Sequence, residues 1–139
     1  MTRRADLQDE DYARLASFRR SLRVFLDFSA AAAREAGLTP QHHQAILAIR
    51  GLAPPGGMTI NDLAAHLLLK PHTAAELVDR LEKAGLVTRE RDENDRRRVL
   101  LTLTAQAKAI LETLSKAHLA QIRRDAPQLV EILGKIVNA

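Results

Sequence analysis

The spacing of apolar residues predicts a mainly helical chain, because they recur every three or four positions over most of its length. The longest run predicts one helix over residues 11–36, which Gly37 ends. A second helix is predicted over residues 40–51, with Thr39 as its N-cap and a proline in its first position. The apolar face of the first helix is too long for a small core to cover, so we expect a partner surface.

The C-terminal part of the chain predicts two further helices. After Thr104, apolar residues again follow a helical spacing up to about Asp125. Pro127 has no N–H to donate and disfavours a helical residue before it, so we expect a break there. A separate last helix would then carry the apolar residues Leu129, Ile132, Leu133 and Ile136.

The stretch 59–104 has the most informative pattern in the chain. It begins with a short helix over residues 60–67, capped by Thr59 with an aspartate three residues later. The Lys70-Pro71 pair interrupts this helix, and its proline suits the start of a new helix over residues 71–84. Helix, tight connection and helix together outline a helix-turn-helix.

Two short strands are predicted directly after this helix pair. Residues 86–89 and 98–103 each have a strand pattern, and in the second segment the apolar residues Val99, Leu101 and Leu103 alternate with other residues. The polar connection between them contains Asn94-Asp95, a pair that suits a turn. A helix-turn-helix followed by a two-stranded hairpin is a winged helix, and an arginine-tipped wing suits a DNA minor groove.

Composition narrows the possible chemistry. The 139 residues are 46% hydrophobic but only 3% aromatic, so we expect one domain with an aliphatic core of packed helices. The net charge of +4 is compatible with nucleic acid but decides little. Without cysteine there is no disulfide, thiol nucleophile, cysteine zinc site or cysteine oxidant sensor. No phosphate loop, nucleophile elbow or paired metal motif occurs, so we expect no enzyme, catalytic residue, cofactor or metal.

The sequence predicts a cytoplasmic protein with no membrane partner. No stretch is long and apolar enough to span a bilayer, and the charged N-terminal sequence lacks the apolar region of a secretory signal. The residues before Asp9 predict a short solvated arm, with contact between phosphate and Arg3 or Arg4 as the alternative.

Residues 77–104, LVDRLEKAGLVTRERDENDRRRVLLTLT, closely resemble the MarR family of winged-helix bacterial transcription regulators. The resemblance is far more specific than a bare helix-turn-helix, and it extends weakly over nearly the whole chain. The matching elements, in the family's order and spacing, are Leu77-Val78-Asp79-Arg80-Leu81-Glu82, Gly85-Leu86-Val87-x-Arg89, Asp92-x-x-Asp95-x-Arg97 and Leu101-x-Leu103-Thr104.

The resemblance implies a mainly α fold with a small β-hairpin: a winged helix-turn-helix flanked by N- and C-terminal dimerisation helices. Residues 1–139 would form a single domain, with 38–104 as the DNA-binding core and 9–37 and 105–139 as the dimerisation helices. In the family these helices intertwine into a homodimer, which agrees with the expected partner surface. Two recognition helices about 34 Å apart suit a near-palindromic double-stranded operator.

The predicted recognition helix supplies the first candidate DNA contacts. Its first exposed turn presents His72, Thr73 and Glu76, which suit guanine, thymine and cytosine edges respectively in the major groove. Lys70 and Arg80 suit phosphate, which sets affinity and register without reading sequence. Two alternatives remain open. Thr73-x-x-Glu76 also spells a capping box, and Arg80 is placed to pair with Glu76.

The wing supplies three more candidates, Arg96, Arg97 and Arg98, which as consecutive residues cannot all face one way. The resemblance places Arg97 in the minor groove and makes Asp92 and Asp95 its acidic braces. Alternatively, Arg97 pairs with Asp92 and Arg96 reaches the DNA. Either arginine suits a narrow minor groove, whose negative potential attracts cations.

The histidines do not predict a metal site, because two are adjacent and the other three are isolated in sequence. The resemblance instead implies an effector site where the N-terminal, second and post-wing helices approach the DNA-binding core. An anionic aromatic ligand would suit basic groups beside apolar ones there, and a solvated helix flank is the alternative for the arginines. The candidates at this site are Arg19, Arg23, Phe28, His42, His43 and Ile46.

Pattern and resemblance together predict a homodimeric transcription regulator, a repressor whose DNA affinity a small ligand lowers. Ligand would favour an arrangement in which the recognition helices no longer fit successive major grooves. The alternative is a winged-helix module used only for protein–protein contact, since a fold does not dictate a function. The arginines of the wing favour DNA.

Overall fold

The computed structural model describes residues 6–139, so Arg3 and Arg4 of the expected arm lie outside the described residues. Within that range the chain forms five helices and one antiparallel hairpin, as the patterns predict apart from one division near the C-terminus. In chain order these elements are α1 (Asp9–Glu35), α2 (Pro40–Gly51), α3 (Ile60–Leu67), α4 (Pro71–Lys83), β1 (Val87–Arg91), β2 (Val99–Leu103) and α5 (Ala105–Val137).

Local hydrogen bonds start α2 and α3 where the sequence predicts. The Thr39 hydroxyl accepts from the backbone N–H of His42 at 3.0 Å, and Pro40 occupies the first helical position. At α3 the Thr59 hydroxyl accepts from the N–H of Asp62 at 3.2 Å, while the Asp62 carboxylate accepts from the N–H of Thr59 at 3.0 Å. The bond from the Thr59 N–H, and a further bond that the Thr59 hydroxyl donates at 2.8 Å, lower the pKa of the Asp62 carboxyl. This reciprocal cap fixes the first helix of the helix-turn-helix.

The turn between α3 and α4 contains a leucine in a left-handed backbone conformation. Leu68 has φ 56° and ψ 40°, and 92% of its surface is exposed. Beyond it, the N–H of Leu69 bonds the carbonyl of Ala64 at 2.9 Å, which closes the end of α3. The left-handed conformation costs a residue with a Cβ about 1–2 kcal/mol, so this tight turn is strained.

Replacing Leu68 with glycine should therefore raise the free energy of unfolding. We expect a gain of about 0.5–1 kcal/mol, because glycine adopts this conformation without the steric penalty and the leucine side chain buries almost nothing. Urea unfolding at one protein concentration measures this gain, with Leu52→Gly, at a leucine whose φ is −121°, as control. A loss of stability in Leu68→Gly would contradict the strain.

The hairpin is anchored to the helical core at its base. Val87 pairs with Leu103 and Arg91 with Val99 at the two ends of the ladder, and Met58 forms an additional bridge to Leu101. Met58, Val87, Leu101 and Leu103 are buried, whereas the connection near residue 94 is exposed. The wing therefore has a fixed base and a solvent-exposed tip.

One predicted division is wrong: residues 105–137 form the single helix α5, with Pro127 inside it. There is therefore one long C-terminal helix rather than the two dimerisation helices expected over 105–139. Pro127 and Arg123 are exposed, so the carbonyl that loses its N–H partner lies on the water-facing side. On the other side, Ala126, Leu129 and Ile132 are half-buried and line the groove between α5 and α1.

Candidate nucleic-acid interface

Helix α4 has one buried face and one charged face. Its core side consists of Ala74, Leu77, Val78 and Leu81, all at 0% exposure. At 100° per residue, the stripe opposite this face is formed by the four exposed residues His72, Glu76, Asp79 and Lys83. The core thus presents this stripe, which we call the α4 stripe, to solvent.

The predicted recognition-helix residues lie at the start of α4 and along its free side. Lys70, His72, Glu76 and Arg80 are exposed, and Thr73 is half-buried. The capping-box alternative is wrong, because the helix begins at Pro71 with Lys70 as its N-cap, which places Thr73 inside the first turn. Nor does Arg80 form an ion pair with Glu76, within the part of the chain that the structure describes.

Ion pairs within the wing distinguish its three consecutive arginines. Arg98 lies 3.5 Å from Asp92, whose carboxylate is only 13% exposed, and Arg97 lies 3.4 Å from Asp95. The alternative in which Arg97 pairs with Asp92 is therefore wrong, because Arg98 occupies that position. The Arg97 side chain is 92% exposed and that of Arg98 only 39% exposed. Arg98 braces the base of the tip, while Arg97 projects from it.

Backbone contacts hold the tip that carries Arg96 and Arg97. The Asp92 carboxylate accepts from the N–H of Asn94 at 3.0 Å, and the Asp95 carboxylate accepts from the N–H of Arg97 at 3.1 Å. Arg91 donates to the carbonyl of Arg96 at 2.8 Å, and the Arg96 side chain stays exposed. Both aspartates thus shape the turn that exposes the guanidinium groups of Arg96 and Arg97.

A contact between the wing and α4 was missing from the sequence interpretation. Arg89, on β1, forms an ion pair and hydrogen bond with Asp79 and a second ion pair with Glu82 at 3.5 Å. Both acids are on α4, so one guanidinium joins the wing to this helix. All three residues belong to the matched family elements, but only the fold shows that they meet.

A buried histidine cluster lies where α1, α2 and α5 meet. Nε2 of His118, on α5, lies 2.8 Å from the hydroxyl of Ser29 on α1. Nδ1 of the same ring lies 2.6 Å from the carbonyl oxygen of Leu114. Because a carbonyl only accepts, Nδ1 carries the proton, so in the neutral ring Nε2 accepts from the Ser29 hydroxyl. The ring centroids of Phe25, Phe28 and His43 lie 5.9, 5.3 and 4.8 Å from that of His118.

This cluster should make the protein less stable as the pH falls below about 6.5. Burial, and then the neighbouring His118, lower the pKa of His43. As the pH falls, His43 is therefore protonated in the unfolded chain before it is protonated in the folded chain. The stabilisation is fully present above the pKa of His43 in the unfolded chain and is lost as the pH falls towards its pKa in the folded chain. Burial and Arg80 lower the pKa of His42 too, with the same sign.

Urea unfolding at pH 7.5 and 5.5 measures this dependence. His43→Gln should make the free energy of unfolding less pH-dependent, by at most about 1.4 kcal/mol per pH unit. His66→Gln, at an exposed histidine, is the control and should keep the wild-type dependence. A His43→Gln chain as pH-dependent as the wild type would show that this ring does not contribute.

The six residues expected at an effector site do not border one cavity. Arg19 and Arg23 border a recess of 330 Å³ on α1, with Ala16, Arg20 and Val24. Phe28 and His43 meet at His118, and Ile46 is fully buried in the core. The structure therefore groups the two arginines in one place and Phe28 with His43 in another, while His42 is half-buried in the first turn of α2.

The described residues contain neither a group arranged as a metal site nor a helix suited to span a membrane. No group of three histidine, aspartate or glutamate side chains over residues 6–139 is arranged to hold a metal ion. In the same range no helix combines the length and apolarity needed to cross a membrane.

A helix-turn-helix with an exposed charged stripe, joined by ion pairs to an arginine-tipped hairpin, defines a winged-helix DNA-binding protein. The sequence of residues 36–98 matches the MarR family. YcgE of Bacillus subtilis, an HTH-type transcriptional regulator, is 36% identical over 115 residues, which cover 80% of this chain and 73% of YcgE. The chain belongs to the MarR family, and it is a DNA-binding transcriptional regulator rather than an enzyme. It covers 57% of a second relative, FarR of Neisseria gonorrhoeae.

Solved structures agree on the fold. FabT of Streptococcus pneumoniae in complex with DNA superposes with a TM-score of 0.75 at 23% identity, over 91% of this chain and 92% of FabT. CouR of Rhodococcus jostii bound to p-coumaroyl-CoA gives 0.70 at 24% identity, over 95% of each chain. The predicted fold class, a winged helix-turn-helix with flanking helices, is confirmed.

Proposed function

We propose that this regulator is a homodimeric repressor that binds a near-palindromic double-stranded operator in the cytoplasm and is released by a small ligand. The observation that carries the DNA part is that Arg89 of the wing forms ion pairs with Asp79 and Glu82 of α4. With both elements held together, α4 enters the major groove while the tip reaches the adjacent minor groove.

The proposed DNA contacts divide into three kinds. His72, Thr73 and Glu76 face base edges, since they lie at the N-terminal end of α4. Lys70 and Arg80 contact phosphate, which positions the helix. Arg96 and Arg97 enter the minor groove, and Asp92, Asp95 and Arg98 hold the tip in shape.

The test is binding of a short duplex that contains a palindrome from the promoter beside the gene. We expect binding that weakens steeply with salt and exceeds binding to a scrambled duplex by at least about 1,000-fold. Equal, weak binding to both duplexes would favour the alternative, a winged helix used only for protein contacts. A promoter–reporter fusion tests the sign of regulation, with rising expression on gene deletion expected for a repressor.

Exposed apolar residues on α1 and α5 support the homodimer. We propose residues 38–104 as the DNA-binding core and residues 9–37 and 105–139 as the dimerisation segments, in one domain. The two helices border a groove of 510 Å³ along the second half of α5. Their exposed large apolar residues are Tyr12, Leu15, Leu22, Val24 and Leu26 on α1 and Leu119, Ile122, Val130, Leu133 and Val137 on α5.

Light scattering coupled to gel filtration tests the assembly, with a mass twice that of one chain expected. Val130 is 66% exposed, the second-highest value among these apolar residues. Val130→Glu places a charge there and should shift the protein towards monomer. Leu52→Glu, at an exposed leucine after α2, is the matched control and should remain dimeric. A monomeric wild type at cellular concentrations would overturn the homodimer.

The recess beside Arg19 and Arg23 supports an anionic ligand with an apolar, aromatic part. These arginines and Arg20 surround a surface that Ala16 and Val24 make partly apolar. The acyl-CoA ester bound by CouR is one ligand of that chemistry. A panel of phenolic acids should contain members that raise the melting temperature and weaken operator binding, and Arg23→Gln should reduce both effects. DNA binding that responds to none of them would remove the ligand from the proposal.

A further inference from the structure

The α4 helix carries three carboxylates on its exposed side, although a DNA-facing helix lies beside a polyanion. Two of them, Asp79 and Glu82, are paired with Arg89 from the wing. The third, Glu76, is exposed and has no ion pair or side-chain hydrogen bond to any of residues 6–139. The wing thus neutralises two of the acids and leaves the third free.

The position of Glu76 makes this free carboxylate consequential. It lies on the α4 stripe, one turn from His72 towards the C-terminus, on the side of the helix opposite Leu77 and Leu81. The Arg80 side chain, one turn further on, does not pair with it. Near phosphates an unpaired carboxylate weakens binding through like-charge repulsion, unless a base supplies a hydrogen-bond donor.

We propose that Glu76 is a specificity-determining residue that accepts a hydrogen bond from the exocyclic amino group of a cytosine in each operator half-site. This inference rests on the proposed function, in which α4 occupies the major groove. Cytosine itself presents a donor there and no acceptor, whereas guanine presents two acceptors and thymine one. Adenine has an amino donor but also N7, which repels a carboxylate. Cytosine is thus the base that Glu76 tolerates best.

Selection of duplexes from a randomised library, followed by affinity measurements on single-base variants, tests the proposal. The wild-type chain should prefer cytosine at one position of each half-site by roughly 5- to 150-fold over guanine. Glu76→Gln should shift that same position towards adenine, because an amide bonds both N6 and N7 of adenine. Glu76→Ala should lose the preference at that position and keep it elsewhere.

Glu112→Gln removes the same charge from α5, where Glu112 pairs with Lys116 at 3.2 Å, and should leave every base preference unchanged. Suppose that the wild type binds a defined operator and that both Glu76 variants select the same bases as the wild type at every position. The inference would then be overturned, with the proposed function intact. A wild type that binds no duplex specifically would overturn both.

Discussion

Replacing Arg97 with alanine should weaken operator binding by about 10- to 100-fold at fixed salt, with the fold intact. The side chain is 92% exposed, and among residues 6–139 its one ion pair, with Asp95, lies at the tip of the wing. Its loss should therefore change the free energy of unfolding by no more than about 0.5 kcal/mol. In a narrow minor groove, by contrast, a guanidinium meets an enhanced negative potential.

Fluorescence anisotropy over a range of salt concentrations measures this loss. The slope of log affinity against log salt should also fall in magnitude by about one, since one cationic contact is removed. Arg34→Ala, which removes the same charge from an exposed position in the last turn of α1, is the control and should bind almost as the wild type does. Unchanged affinity of Arg97→Ala at matched salt would remove the wing from the mechanism.

Most helix and strand boundaries could be predicted because their signals are local. Thr39 and Thr59 cap helices through bonds to residues three positions away, and Pro71 starts α4 because its ring suits a first helical position. Gly85, with φ 74°, follows α4 in a conformation that glycine adopts freely. In each case a few neighbouring residues determine the backbone.

The wrong prediction at Pro127 has a tertiary cause. A proline within a helix costs about 3 kcal/mol, so the sequence alone favours a break. The helix nevertheless continues beside α1, where Leu129 and Ile132 are half-buried at the groove between the two helices, and the carbonyl left without an N–H partner belongs to the exposed Arg123. Local propensity is a weak guide where a long helix lies against another.

The ion pairs of the interface also depend on the tertiary fold. Arg89 meets Asp79 across ten positions, and His118 meets Ser29 across 89, so no sequence period relates them. In the wing, the choice between Arg97 and Arg98 as partner of Asp92 depends on the hairpin register, which pairs Arg91 with Val99. A shift of the register by one residue moves every side chain of a strand to the opposite face, so the spacing of the arginines alone left both possibilities open.

Replacing Leu81 with alanine should have the largest effect on stability of the changes considered. Leu81 is completely buried on the core face of α4, in the same cluster as Ile46 and Leu86. Removing its three outer carbon atoms should reduce the free energy of unfolding by about 2–5 kcal/mol, because the cavity left behind adds to the lost transfer energy. That is a large fraction of the roughly 5–15 kcal/mol that stabilises a typical domain.

Leu68→Ala provides a matched control, since it makes the same substitution at a leucine that is 92% exposed and should change stability by less than about 0.5 kcal/mol. Urea unfolding of both variants must be compared at one protein concentration, because a dimer gains stability by mass action. Leu81 also anchors the helix whose opposite side bears Glu76 and Asp79. Because operator DNA binds the folded chain, a saturating concentration of it should recover part of the lost stability. Equal losses in the two variants would mean that α4 is not held by its buried face, and the α4 stripe would then have no fixed orientation towards DNA.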